Sequence, residues 1–155
     1  MKTITSFKLP ALLAGFLFLS FLFGCAPGVP LEQWSHNHPP ASEALGAWVK
    51  EHSQAAHLFF EWDGNHPDRS QEFVKWTLNH PNLEVDAFVA LHPGWGELNE
   101  IMVTHKPAAR GFMAWCRNYP EAAKTLMSHS GGLKWAGDHL YKEYWNMETP
   151  RRPRR

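Results

Sequence analysis

The sequence predicts an all-α protein, a compact array of about seven short helices, on three observations. Large apolar side chains, mostly tryptophan, recur mostly at intervals of 13 or 14 residues, each with a histidine or tyrosine four places later. Prolines follow directly after many of these histidines, and no segment alternates apolar and polar residues as a strand would. A fixed period of this length indicates an internal repeat. Because proline excludes one continuous helix, each repeat should form its own short helix.

The repeat has the form Trp-x-x-x-His, often followed by proline. Its eight copies are Trp34 and His38, Trp48 and His52, Trp62 and His66, Trp76 and His80, Phe88 and His92, Ile101 and His105, Trp115 and Tyr119, and Trp135 and His139. We expect each tryptophan to pack inside. The imidazole should close the turn by donating to the last carbonyls of the preceding helix. A metal-binding role fits these histidines less well, since Tyr119 replaces one of them and is a poor zinc ligand.

Each proline is suited to the first turn of a new helix, which places the helix boundaries. Helices are predicted over residues 42–62, 67–78, 81–91, 94–104, 107–118, 120–128 and 132–146. Apolar stripes at helical spacing support two of them: Ala108, Phe112, Trp115 and Cys116, and then Leu133, Ala136, Gly137, Leu140, Tyr141 and Tyr144. Residues 83–91 are apolar nearly all round, so we expect that helix at the centre.

The first 24 residues have the plan of an export signal, with Lys2 and Lys8 before an apolar run. That run is 15 residues, shorter than the roughly 20 that a membrane-spanning helix needs. The segment Leu22-Phe23-Gly24-Cys25 resembles the lipobox of bacterial lipoproteins, although Phe23 is bulkier than the small residue usual there. The resemblance implies cleavage before Cys25 and its acylation. An ordinary secretory signal with an incidental cysteine is the alternative.

The resemblance also implies where the protein resides. Ala26 stands where, in the sorting rule of enteric bacteria, an aspartate would favour the inner membrane, so we expect outer-membrane retention facing the periplasm. The expected domains are the leader 1–24, the acylated Cys25 with a proline-rich tether 25–41, a helical domain 42–146 and a basic tail 147–155. Acylation of Cys25 would leave Cys116 without a partner, so the exported domain must fold without a disulfide.

Charge is distributed unevenly along the chain. From Cys25 to Pro150 there are 9 basic and 15 acidic residues, a net charge of −6. This excludes nucleic acid as a partner of the helical domain, because no basic face could displace phosphate counterions. Four of the last five residues are arginines, and this tail could hold anionic lipid headgroups or an acidic partner.

Candidate chemistry is sparse. His36 and His38 are the best metal ligands, with Asp63 or His66 as a third, but zinc needs three or four converging ligands. Cys116 with His105 could be imagined as a nucleophile and its base, although its place on an apolar stripe favours an inert core residue. Since haem-attachment, zinc-protease, serine-hydrolase and phosphate-loop motifs are all missing from the sequence, we predict neither enzyme activity nor a cofactor.

The last predicted helix carries the candidate binding site. Its apolar stripe leaves Trp135, Asp138, His139 and Lys142 on the opposite side. A tryptophan beside histidine and lysine is typical of an interaction hot spot, and burial of this side under residues 26–41 is the alternative. The sequence therefore predicts a lipid-anchored envelope protein whose helical domain binds or scaffolds a protein partner. A periplasmic metal-binding protein that uses its histidines is the second hypothesis.

Overall fold

A computed structural model describes residues 30–141, and all regular structure in that range is helical. The all-α prediction is confirmed. The helices are α1 (Leu31–Asn37), α2 (Pro39–Glu51), α3 (Ser53–Asn65), α4 (Pro67–Asn79), α5 (Val85–Leu91), α6 (Gly96–Thr104), α7 (Lys106–Asn118), α8 (Pro120–Met127) and α9 (Gly132–Leu140), with a 3-10 turn at Pro93–Trp95. Cys25, Lys142 and the basic tail lie outside the described residues.

One backbone geometry separates most of the helices. Seven residues that each end a helix have φ between −116° and −136° and ψ between 41° and 65°: His38, His52, His66, His80, His92, His105 and Tyr119. The N–H of each donates to the carbonyl four residues earlier, at 2.9–3.0 Å. The next helix starts directly after five of them, whose own carbonyls accept an N–H four residues later. Each hinge therefore turns the chain with little loss of backbone hydrogen bonding.

The predicted helix over residues 42–62 is wrong, because His52 divides it into α2 and α3. His52 has φ −127° and ψ 41°, the same geometry as the hinges that precede a proline. Ser53 follows His52, so the sequence lacks the proline that marks the other breaks. The position of the Trp48–His52 pair in the repeat was the better signal here.

The prediction of a tether reaching residue 41 is also wrong. Leu31–Asn37 is helical, and α2 starts at Pro39, so the helical body begins well before residue 42. The Trp34 side chain is 0% exposed, and its indole Nε1 donates to the Ala122 carbonyl of α8 at 2.9 Å. Burial of an indole with its N–H satisfied fixes α1 to the body.

The prediction for residues 81–91 is only partly right. Residues 81–84 form a turn, and α5 begins at Val85. Leu91 is 61% exposed, so α5 is not the central helix. That place belongs to α7, which packs against α2 to α6 and α8. The nearly all-round apolar surface of residues 83–91 did not predict a central helix, because α5 is short and lies at the edge of the body.

Three indole N–H groups join helices that are distant in sequence. Trp34 donates to the Ala122 carbonyl, and Trp115 donates to the Ala41 carbonyl, each at 2.9 Å. Ala41 and Ala122 are each the third residue after the hinge that follows Trp34 and Trp115, so this pair of bonds is reciprocal. Trp48 makes the same kind of bond, to Ala108, the third residue after His105. The repeat thus supplies both the donor and its acceptor.

The last helix is held by a buried acid of α3. The Asp63 carboxylate is 1% exposed and accepts the N–H groups of Leu133 at 2.8 Å and Lys134 at 3.2 Å. Gly131 permits the turn into α9 with φ +70°, in the left-handed region that favours glycine. Asp63 therefore caps α9 from another helix, and α9 packs on α3 and α8.

Candidate functional site

The predicted binding residues on α9 form a surface that we call the α9 face, made of Trp135, Asp138 and His139. Trp135 is partly buried, whereas Asp138 and His139 are exposed. The imidazole of His139 stacks on the Trp135 ring, with 5.1 Å between centroids and 17° between planes. Its Nδ1 lies 3.0 Å from the Trp135 carbonyl oxygen. Lys142, the fourth predicted residue, lies outside the described residues.

The charges beside the α9 face are paired. Lys134 Nζ lies 2.6 Å from a Glu61 carboxylate oxygen of α3 and 3.7 Å from an Asp138 oxygen. The hydrogen bond from Lys134 lowers the pKa of Glu61, and the same bond raises the pKa of Lys134. The α9 face therefore presents an aromatic and imidazole plate with a partly neutralised rim.

The opposite side of α9 packs into the body. Leu133, Ala136 and Gly137 are buried, as the sequence stripe predicted, and the Tyr141 hydroxyl donates to the Ser42 carbonyl of α2. Both ends of the helix are thus fixed, at Asp63 and at Ser42. A plate on a fixed helix is ordered before binding, which reduces the entropy that association would lose.

A second surface was not predicted. An open groove of about 320 Å³ lies between α4 and the Pro93–Trp95 turn, lined by Glu72, Lys75, Trp76, Asn79, His80, His92 and Trp95. We call it the aromatic groove. Trp76, Trp95 and both histidines are partly exposed, although Trp76 was expected inside. The expectation is only partly met, because the Trp76 ring packs edge to face with Phe88 of α5 while part of it lines the groove.

The rings of the aromatic groove are held by stacking and by hydrogen bonds. His80 stacks on Trp76 at 4.6 Å, and His92 stacks on Phe88 at 4.3 Å. The Nδ1 atom of His80 lies 2.8 Å from the Trp76 carbonyl, and that of His92 lies 2.9 Å from the Phe88 carbonyl. Since a carbonyl only accepts, Nδ1 carries the hydrogen in each ring, and in the neutral form Nε2 is left as the acceptor.

The predicted metal ligands are not brought together. Asp63 is buried against α9, and the Nδ1 atom of His66 lies 3.1 Å from the Trp62 carbonyl. His36 is exposed, and the His38 ring lies against Trp34, 5.9 Å between centroids. Among residues 30–141, no three His, Cys, Asp or Glu side chains are placed to hold a metal ion.

Cys116 lies in the core of α7 and is 0% exposed. Burial raises the pKa of its thiol far above the ordinary value, so the thiolate is strongly disfavoured. The thiol is therefore inert, as the apolar stripe predicted.

The aromatic groove has a weak signal in the sequence. His80 and His92 are only 12 residues apart, and the first is followed by Pro81-Asn82, a pair that favours a turn over an immediate helix. A repeat shortened in this way cannot cover the preceding helix along its full length.

No family model, curated protein or solved structure matches the chain. None of the helices within residues 30–141 is long and apolar enough to span a bilayer.

Proposed function

We propose that the chain is a lipid-anchored protein of the bacterial cell envelope, whose helical body binds or scaffolds a protein partner through the α9 face. The single observation that carries the binding role is the Trp135–His139 stack, a partly exposed aromatic plate on a helix fixed at both ends. Tryptophan is enriched among residues that dominate binding energy, and a rigid plate needs little ordering on contact.

Anchoring at Cys25 is supported by the leader composition and by the lipobox-like segment. More than one acyl chain gives stable attachment, where a single chain is marginal. The helical body begins at Leu31, so only five residues separate it from Cys25. Because a chain spans at most about 3.3–3.6 Å per residue, a spacer of this length holds the body within about 20 Å of the lipid surface.

This short spacer supports a scaffold role for a partner in the same membrane. Confining two proteins to one surface raises their effective concentration, so modest affinity at the α9 face would suffice. The outer membrane facing the periplasm is the location that we propose, on the basis of Ala26 after the cysteine.

Cell fractionation of a Cys25→Ser variant tests the anchor. Loss of the acylated thiol should move the protein from the membrane to the soluble fraction. The matched control is Cys116→Ala, which alters the other cysteine and should leave the protein in membranes. Retention of the Cys25→Ser variant in membranes would instead indicate an uncleaved span.

Crosslinking and pull-down from native membranes test the binding role. His139→Ala and Trp135→Ala should both reduce capture of the partner. His36→Ala is the matched control, because His36 is an exposed histidine on a different helix, α1. A partner captured equally well by all three variants would exclude the α9 face as its binding site.

A further inference from the structure

The aromatic groove has partly exposed rings and a slightly acidic surround. Glu72 lines it, and Glu97 follows the lining residue Trp95 by two positions. Asp68 is exposed one turn before Glu72 on α4. Lys75 is the one cation among the lining residues, and Arg69 is the other basic side chain at the groove. Three acids against two basic side chains give the groove and its rim a small negative balance.

The structure already places one cation against this groove. The guanidinium carbon of Arg69 lies 5.6 Å from the centroid of the Trp95 ring. Guanidinium groups bind to the electron-rich face of indole, and aromatic grooves also accept proline rings of an extended polyproline segment. The ligand chemistry that fits is therefore an extended segment rich in arginine and proline.

The chain itself contains such a segment. Residues 150–155 read Pro-Arg-Arg-Pro-Arg-Arg, with two prolines spaced as in polyproline-binding motifs and four positive charges. Residues 30–141 carry 8 basic and 13 acidic side chains, a net charge of −5. The tail and the body are thus complementary in charge.

The tail is long enough to reach the groove. Tyr141 ends the described residues beside Ser42, and eight residues, about 26–29 Å when extended, separate it from Pro150. Ala41, next to Ser42, accepts the indole N–H of Trp115. Arg117, two residues after Trp115 on α7, donates to the carbonyl of His80, which lines the groove.

We propose that residues 150–155 dock in the aromatic groove of the same chain, with proline and guanidinium groups on Trp76 and Trp95 and with Glu72 neutralising part of the charge. The tail is then bound to the helical body and is not available to anionic lipid headgroups. This interaction does not depend on anchoring at Cys25 or on the α9 face.

Photocrosslinking within the full chain tests the proposal. Arg152 is replaced by p-benzoylphenylalanine, the protein is irradiated in detergent micelles, and the crosslinked peptides are identified by mass spectrometry. We expect crosslinks to residues 72–80 and 92–95 of the same chain. Their yield should not change on about tenfold dilution, because the contact is intramolecular.

Charge variants sharpen the test. Glu72→Lys should lower the yield of groove crosslinks about two- to fivefold, the range for an exposed charge pair. Glu43→Lys is the matched control, since Glu43 is an exposed acid on α2 with the same change of charge. Circular dichroism of both variants verifies that the fold is retained.

Several results would overturn the proposal. Crosslinks only to a second copy would assign the tail to self-association. Crosslinks only to added vesicles of phosphatidylglycerol would assign it to the membrane. Crosslinks spread over the body, or equal losses in Glu72→Lys and Glu43→Lys, would indicate unspecific charge attraction.

Discussion

At the scale of single residues, Asp63 has the most consequential environment. It is a buried carboxylate that accepts the main-chain N–H groups of Leu133 and Lys134, so its charge is placed at the positive end of α9. Burial raises the pKa of Asp63 above the ordinary value of 3.8. Hydrogen bonds lower it by a smaller amount, and the largest of these contributions comes from the Ser70 side chain. Asp63 stabilises α9 through its geometry, while its buried charge is disfavoured.

Replacing Asp63 with alanine should lower the free energy of unfolding by about 1–3 kcal/mol, because two N–H groups of α9 would lose their acceptor. Denaturant titration measures this loss. Asp68→Ala is the control: Asp68 is exposed in the first turn of α4, and its loss should stay within about 0.5 kcal/mol. Equal losses would mean that Asp63 does not act as the cap of α9.

The raised pKa of Asp63 also predicts a pH dependence. A carboxyl with a higher pKa in the folded state binds its proton more tightly there than in the unfolded chain. Its contribution to stability is therefore greatest below the pKa of the unfolded chain, about 3.8, and declines as the pH rises through the higher pKa of the folded state. When the pH is lowered from neutral to acidic, the unfolding free energy of the wild type should rise relative to that of Asp63→Asn. A constant difference would contradict the raised pKa.

At the scale of helices, the hinge residues combine two tasks. The hinge backbone ends one helix, and the imidazoles of His66, His80 and His92 place Nδ1 within 3.1 Å of the same carbonyl that the hinge N–H binds. Trp34, Trp48 and Trp115 use their indole N–H groups for bonds between helices instead. One sequence unit therefore serves either to close a turn or to join two helices, depending on its neighbours.

The reciprocal bonds of Trp34 and Trp115 predict energetic coupling. Trp115→Phe should lower the free energy of unfolding by about 1–3 kcal/mol, because the second hydrogen bond to the Ala41 carbonyl is lost and the smaller ring leaves a cavity in the core. Trp34→Phe should act likewise at Ala122. Because the two rings lie 6.4 Å apart, the double variant should depart from additivity by at least about 0.5 kcal/mol.

Denaturant titration of the two single variants and the double variant completes this cycle. Trp135→Phe is a useful reference, since Trp135 is partly exposed and lies on a different helix pair. Strict additivity of Trp34→Phe and Trp115→Phe would mean that the two bonds form independently. The contact between α1 and α8 would then not be coupled to the contact between α2 and α7.

At the scale of the whole molecule, one continuous core joins all nine helices of residues 30–141. Phe112 of α7 connects its parts, with Trp48, Phe59 and Phe73 each within 6.2 Å between ring centroids. Trp34 and Tyr141, near the two ends of the described range, are also buried. The core does not divide into separable units.

A shared core predicts cooperative unfolding. Far-ultraviolet circular dichroism, which reports helix, and near-ultraviolet circular dichroism, which reports tryptophan packing, should give the same midpoint in a denaturant titration. An earlier transition in the near-ultraviolet signal would reveal a region that loosens by itself. The helices and the aromatic core would then not be one cooperative unit.

Local sequence was sufficient for the helical class, for most helix boundaries and for the inert Cys116, because proline, hinge histidine and apolar spacing act within about four residues. It was misleading where a local signal was weak, as at His52 and in residues 31–37. Tertiary structure alone decided that Asp63 caps α9, that Trp34 and Trp115 exchange hydrogen bonds, and that Trp76 and Trp95 stay partly exposed. Each of these depends on which helices meet, and that is settled by burial summed over the whole chain.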